Sequence, residues 1–417
     1  MTPPAAACRN CGAPLATTFV NLGMSPLCES FVPPSRLQEP EPFYPLHVFV
    51  CDRCLLVQLL AYVSGEAIFS DYAYYSSYSD SYLTHAKRYV AMAIERFGLT
   101  PAHRVVEVGS NDGYLLRYVM EAGIQALGIE PAANVAQDAV ARGIPTLVKF
   151  FGGETARALA ADGVRADLMV ANNVIAHVAD LNDFVDGFAR LLAPAGIWTI
   201  EIPHLLRLVE GTQYDTIYHE HYSYFSFHAM EDVLRRHGLE VFDVEEIWTH
   251  GGSLRYFVRH AGEDGRGGRL AVTPRVAEMR EREREAGVTS LDWYAGFGDR
   301  VERSKWALLE FLIGVRREGK RVAGYGAPGK GNTLLNYCGI RTDLLEYTVD
   351  RNPHKHGMYL PGTRIPIHPP ERIFETRPDY VLILPWNLAE EIVGQMHAVR
   401  EWGGQFVVPI PLVRVLG

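Results

Sequence analysis

At 417 residues the chain is longer than a single core usually organises, so two or three domains are expected. Its 49 acidic and 40 basic residues leave a net charge of −9, and the basic residues are scattered rather than gathered in one stripe, which argues against nucleic acid as a partner. No apolar run of about 18 residues and no basic-then-apolar leader occurs, so the expectation is a soluble, cytoplasmic, monomeric protein with no membrane partner.

Six cysteines are too few for a disulfide scaffold in a chain of this length, and four of them form two pairs, Cys8 with Cys11 and Cys51 with Cys54. A two-residue spacer lets both thiolates of a knuckle reach one tetrahedral ion at about 2.3 Å, and two knuckles make a closed four-sulfur site with no position left for chemistry. A structural zinc is therefore expected on Cys8, Cys11, Cys51 and Cys54. Cys28 and Cys338 read as small buried hydrophobes.

The stretch FSDYAYYSSYSDSYLTHAKRY, from Phe69 to Tyr89, is dense in Tyr and Ser. It is either a packed connector with amphipathic tyrosines or a segment that brings the hydroxyls of Tyr72, Tyr74, Tyr75 and Tyr78 to the mouth of a site. A strand, a Gly-rich turn from Gly109 to Gly113 and a helix follow, and then a second strand ending at Glu130, which lies 130 − 109 = 21 residues beyond the first glycine. Glycines let a ligand approach the backbone, a helix N-terminus offers free amides, and an acid at the end of the second strand takes ribose hydroxyls. The turn, Glu107-Val-Gly109-Ser-Asn111-Asp-Gly113, differs from G-x-G-x-x-G and resembles the E/D-x-G-x-x-x-G signature of S-adenosylmethionine-dependent methyltransferases. Two later strands end at polar residues, one at Asn172, Asn173 and His177 and the other ahead of TIYHEHYSYFS, Thr216 to Ser226. In a parallel sheet both overhang the ligand edge, which makes Tyr218, Glu220 and His221 candidates for proton chemistry.

The charged stretch AEMREREREAG, Ala277 to Gly287, reads as a solvated helix face. A second α/β unit begins at Gly319, with the Gly-rich loop GYGAPGKGN, a strand ending at Asp350, and further strands around Tyr380 and Gln405 expected to run parallel. The loop is suited to cradling phosphate with Lys330 as a point charge, or to a nicotinamide cofactor with Asp350 on a ribose, or the unit is a packing scaffold.

Taken together, the two knuckles, DYAYYSSYSDSY, EVGSNDGYLL, ANNVIAHV, YDTIYHEHYSYFS, HGGSLR and YGAPGKGNTLLNY resemble, in that order and across essentially the whole chain, the nucleotide-sugar C-methyltransferases that act on dTDP-linked 4-keto deoxysugars in antibiotic deoxysugar pathways. The resemblance implies an α/β protein of three parts. These are a small zinc-binding domain over residues 1–70, a Rossmann-like methyltransferase domain over 71–260, and a C-terminal Rossmann-like domain over 261–417 that binds the sugar nucleotide. It implies S-adenosylmethionine as cofactor, held by Glu107, Gly109, Asn111, Gly113, Glu130, Asn172 and Asn173. The active-site set it matches is Tyr72, His177, Tyr218, Glu220 and His221, with His250, Ser253, Arg255, Tyr325, Lys330 and Asn332 facing the nucleotide.

The chemistry suits these residues independently of the family. Carbon becomes a nucleophile when a neighbouring ketone lets it enolise, and a histidine is suited to taking that proton. His221 is the candidate base, with Glu220 or a nearby carboxylate orienting it. The enolate oxygen needs a donor from Tyr218, Tyr72 or His177, each such donor being worth about 3 kcal/mol. Carbon 3 of the sugar is the position that the resemblance implies, and no metal is needed in that step. Two rivals remain at this stage: an O- or N-methyltransferase, and a nicotinamide-dependent keto-sugar oxidoreductase using the C-terminal unit.

Overall fold

The computed structural model describes residues 6–69, 75–264 and 270–416. Three sheets organise them. The first is an antiparallel sheet of Thr17–Ser25, Tyr44–Val50, Val57–Leu59 and Ser223–Tyr224. In its second strand Leu46, Val48 and Val50 point into the core and their neighbours do not, the alternation of a half-buried sheet. Its last strand comes from far along the chain. Val57 pairs with Tyr224 and Gln58 with Ser223, so the segment carrying His221 is hydrogen-bonded to the cysteine-bearing region.

The second sheet has seven strands, in the order Leu239–Ile247, Ser253–His260, Leu192–Pro203, Ala166–Asn172, Arg104–Val108, Gln125–Ile129 and Thr146–Leu147. The last five run parallel and the first two are antiparallel additions at one edge. Nearly continuous apolar runs such as Val105-Val106 and Leu168 to Ala171 form its strands because helices cover both faces. One of these, Asp80–Phe97, starts where the Ser79 hydroxyl accepts from the Tyr82 amide and stops at Gly98 in the left-handed region; it buries Ala86, Tyr89, Val90 and Ala93, the i, i+3, i+4, i+7 stripe of an amphipathic helix.

The third sheet, in the order Ile367–His368, Thr348–Val349, Val322–Tyr325, Tyr380–Ile383, Gln405–Val408 and Arg414–Leu416, is parallel except for its last strand. The strands expected around Tyr380 and Gln405 are parallel neighbours. The charged stretch departs from expectation at one residue. Helix Pro274–Ala286 is mostly exposed, but Glu283 is buried, accepting from His204 Nε2 at 2.6 Å and from the amides of Phe227 and His228 at 2.6 and 2.8 Å. Those amides open helix Phe227–Arg235 and need an acceptor, which a neighbouring helix supplies. Among the described residues no helix is long and apolar enough to cross a membrane.

Candidate active site

The carboxyl ends of the two Rossmann-like sheets and the Thr216–Tyr224 segment enclose a cleft of about 1070 Å³. On the methyltransferase side Gly109 has φ 69°, and a Cβ there would lie 2.4 Å from Val174 Cγ2, so only glycine fits this turn. Glu130 lines the cleft and accepts from two backbone amides, Asn111 N through Oε2 and Ala132 N through Oε1, each at 2.9 Å. Burial raises its carboxyl above the usual range, against the pull of those two amides. Asn111, Asn172 and Asn173 also line the cleft. Asn172 Oδ1 is buried with no hydrogen-bond partner among the described residues, and Asn173, itself at φ 57°, donates to the Tyr82 hydroxyl at 3.3 Å.

An unsatisfied buried carbonyl oxygen beside a glycine turn, with an acid on the facing strand, fits the polar ends of S-adenosylmethionine. Glu107 and Gly113 are not at this surface. Glu107 lies beneath the turn, where burial holds its carboxyl well above the usual range, and Gly113 packs so tightly that a Cβ would sit 2.2 Å from Ile144 Cδ1. Their part is to shape the turn.

At the middle of the cleft His221 Nδ1 lies 2.8 Å from the Thr216 carbonyl. A carbonyl only accepts, so Nδ1 carries the proton and Nε2 the lone pair. Burial, and then the charge of Lys330, pull this imidazole down to about 4 against the opposing Thr216 bond, so it is unprotonated at neutral pH. The Tyr218 ring is 4.0 Å from it and the His177 ring 4.9 Å, and His177 stacks in turn on Phe69 at 5.2 Å. His177 is held well below its ordinary range by burial, and the Tyr218 phenol is pushed well above its own. The orienting partner expected from Glu220 is therefore the Thr216 carbonyl, because the turn brings residue 216 back onto the ring. Glu220 also lines the cleft and accepts from Cys28 Sγ at 3.3 Å, so Cys28 is not merely a small hydrophobe. Tyr72 and Tyr74 lie outside the described residues; Tyr75 and Tyr78 line the cleft.

From the C-terminal unit Tyr325 and Lys330 reach the cleft, as does His250 from the loop between the two edge strands. Lys330 Nζ donates to Asn387 Oδ1 at 2.7 Å and sits 4.9 Å from the Trp386 ring. Three other residues expected at the nucleotide do not line the cleft. Arg255 stands opposite Glu201 in the strand register and is consumed by ion pairs to Glu201 at 2.6 Å and Glu245 at 3.0 Å. Ser253 donates to the Thr249 carbonyl at 2.8 Å, and Asn332 donates to the Cys28 carbonyl at 2.6 Å. All three are buried in packing that the local motif does not reveal. Conversely, Glu29, Lys355 and Gln395 line the cleft with no motif to announce them.

The four knuckle sulfurs lie within 4.8 Å of one another, with Cys8 to Cys54 and Cys11 to Cys51 each 3.5 Å. Tetrahedral bonds of about 2.3 Å place sulfurs about 3.8 Å apart, so the cluster fits zinc. Gln58 Nε2 donates to Cys8 Sγ at 3.2 Å, the kind of outer contact that orients a thiolate ligand. None of the four lines the cleft, in keeping with a structural zinc.

A Rossmann-like sheet with an acid-backed glycine turn, an attached zinc site and a histidine-bearing cleft define an S-adenosylmethionine-dependent methyltransferase. Three family models match in chain order: a putative zinc binding domain over residues 8–69, a methyltransferase domain over 82–244, and the C-methyltransferase C-terminal domain over 248–411. The C-methyltransferase NovU of Streptomyces niveus is 38% identical over 409 residues, 98% of this chain and 96% of its own. A ubiquinone biosynthesis O-methyltransferase of Chelativorans sp. (strain BNC1) is 28% identical over 95 residues, 22% of this chain and 38% of that protein. The chain belongs to the zinc-binding C-methyltransferase family.

Proposed function

We propose that the protein methylates carbon 3 of a dTDP-linked 4-keto deoxysugar, a step of antibiotic deoxysugar biosynthesis, by way of an enolate. The observation that carries this reading is the His221 imidazole. Its Nδ1 proton is committed to the Thr216 carbonyl and its Nε2 lone pair is left over, in a cleft with a methyl-donor turn on one side and a second Rossmann-like unit on the other. A hydroxyl acceptor can use such a base as well; what favours carbon is the likeness to a C-methyltransferase along almost the whole chain and the C-methyltransferase C-terminal domain over 248–411.

In this reading His221 Nε2 takes the proton from the carbon beside the ketone, and Tyr218, Glu220, His177 and Tyr72 shape the rim around it. Glu130, Asn111, Asn172 and Asn173 hold the cofactor with the Gly109 turn, and Tyr325 and Lys330 face the nucleotide. When bound, S-adenosylmethionine supplies a sulfonium-activated methyl group. In this reading the domain boundaries fall near residues 70 and 260, and the sugar nucleotide binds between the second and third units.

The test is incubation with S-adenosylmethionine and a panel of dTDP-4-keto deoxysugars, reading product mass and the position of the new carbon-bound methyl group. Methylation on oxygen or nitrogen, or no turnover on any member, sinks the reading.

A further inference from the structure

We propose that His250 is a further catalytic residue, donating a hydrogen bond from its neutral imidazole to the substrate oxygen on which negative charge develops as His221 removes the carbon-bound proton. The inference rests on the function proposed above and adds to it the group that stabilises the enolate.

His250 is a non-glycine residue in the left-handed region, φ 55° and ψ 24°, an uncommon conformation that His adopts more readily than most side chains but that still costs energy relative to glycine. The surrounding contacts force it. Gln213 Nε2 donates to the Gly251 carbonyl at 2.8 Å, the His204 amide to the Gly252 carbonyl at 3.1 Å, and Ser253 Oγ to the Thr249 carbonyl at 2.8 Å. On the far side a Cβ at Gly251 would stand 2.6 Å from Trp386 Cη2, so the C-terminal unit presses the loop from above. All this fixation orients one imidazole that lines the cleft and whose ring nitrogens have no hydrogen-bond partner among the described residues. A polar ring held under strain and left unpaired at a cleft wall is built for a ligand group.

Its placement says which group. The Tyr82 ring, whose hydroxyl accepts from Asn173 in the donor site, meets His250 edge-on at 6.2 Å. Lys330 lies close enough for its charge to bear on it, and His221 lines the same cleft. His250 thus stands where the methyl-donor side, the base and the nucleotide side meet. Burial first, and then the Lys330 charge, push the imidazole down to about 3, so it stays neutral at any working pH and acts as a donor that keeps its proton.

A base as weak as His221 can take a proton from carbon only if the resulting charge is stabilised as it forms. The proton passes to His221 Nε2, the C–H bonding pair becomes the enolate double bond, and the carbonyl π pair moves onto the oxygen that His250 faces. When the carbon is alkylated the enolate C=C pair forms the new carbon–carbon bond, the oxygen pair returns to the carbonyl, and the pair of the broken methyl–sulfur bond stays on sulfur.

The experiment uses two variants that the backbone tolerates. His250→Gly relieves the strain and removes the ring, and His250→Asn accepts the left-handed conformation while keeping an N–H donor. With a turned-over dTDP-4-keto deoxysugar in heavy water, exchange of the hydrogen beside the ketone is followed without the methyl donor, and methylation with it. His250→Gly is expected to slow both by roughly 10²- to 10³-fold, with substrate affinity changed by less than about threefold. His250→Asn is expected to regain about tenfold of that loss. Exchange near the wild-type rate in His250→Gly, or weakened affinity with undiminished turnover at saturation, overturns the proposal. Inactivity of the wild type on the whole panel brings down the proposed function and this inference with it, whereas an active wild type and an indifferent His250→Gly sink the inference alone.

Discussion

The two Rossmann-like units repeat one device and put it to different use. In each, the acid that ends the second strand accepts one amide from the turn after the first strand and one from two residues further along. Glu130 takes Asn111 N and Ala132 N, and Asp350 takes Ala327 N at 2.7 Å and Asn352 N at 2.8 Å. The turns then diverge. The first opens into the cleft, with an orphaned Asn172 oxygen beside it. The second lines the cleft too, through Gly326, Pro328, Gly329 and Lys330, but the segment around Cys28 and Glu29, which arrives from the zinc-binding region, packs against its helix N-terminus. A Cβ at Gly329 would meet Cys28 Sγ at 2.9 Å, Lys355 Nζ bonds the Ala327 carbonyl at 2.9 Å and faces Glu29 at 3.6 Å, and Val32 exchanges two backbone bonds with Tyr359. Topology alone does not decide what a glycine turn binds; what stands over the helix N-terminus does.

The largest effect is expected from removing the anchor of that segment. In Cys51→Ser the zinc site loses a ligand, and structural zinc contributes on the order of 10 kcal/mol to folding, comparable with the whole stability of a domain. The variant is expected to be insoluble or to lack the first sheet, with the Thr216–Tyr224 segment released along with it because Ser223 and Tyr224 are paired to Val57 and Gln58. Purified wild-type protein without zinc, or a soluble and fully active variant, contradicts this.

The second expectation concerns the seam between the units. His221 is held at about 4, chiefly by burial and further by Lys330, which projects from the second turn. The acid limb of kcat/KM is therefore expected well below pH 6.5, near 4, since the base stays unprotonated until then. Because its proton affinity is lower folded than unfolded, its contribution to stability is complete above pH 6.5 and is lost as pH falls toward 4. Lys330→Met removes a positive neighbour and should move the limb upward. A wild-type limb at 6.5, or one that Lys330→Met leaves in place, means that the second unit does not act on the base.

The third prediction separates the two acids. Glu130→Ala should weaken S-adenosylmethionine binding by about 1.5 to 3 kcal/mol, the worth of hydrogen bonds to a charged group, whereas Asp350→Ala should leave it unchanged. Calorimetry on both variants decides: equal losses erase the distinction between the turns, and no loss in either removes Glu130 from the donor site.

These differences also mark how far the sequence could be read. Glu130 and the four cysteines were legible because spacing fixes them: a strand, a turn and a helix leave one place for the acid, and two knuckles leave one way to share an ion. His221 was legible as a rim residue, since the end of a parallel strand has only one edge to overhang. Side-chain direction inside a motif was not. Arg255 and Ser253 lie in HGGSLR, but the pairing of Arg255 with Glu201 depends on a strand more than 50 residues away in the chain. Glu29 and Lys355 carry no local signal at all, because their meeting depends on how the zinc-binding region packs against the third sheet.

That meeting sets the smallest expected effect and the finest test of the comparison. Glu29 and Lys355 keep 17% and 11% of their side chains exposed, so their attraction at 3.6 Å is only partly screened, but both are partly desolvated to achieve it. The net coupling should accordingly be modest, about 1 kcal/mol. A double-mutant cycle with Glu29→Gln and Lys355→Met measures it, with hydrogen exchange over helix Gly329–Cys338 as the local readout of how firmly the segment packs against the turn. Glu29→Gln alone should loosen that helix more than the double variant does, since it leaves the buried Lys355 ammonium without its ion-pair partner, with the Ala327 carbonyl and the Phe31 ring as its remaining contacts, and S-adenosylmethionine affinity should be the same in all three. Strictly additive effects would mean that the segment is held by Phe31, Val32 and the backbone pairing with Tyr359, and that the Glu29 charge is incidental to packing it against the second turn.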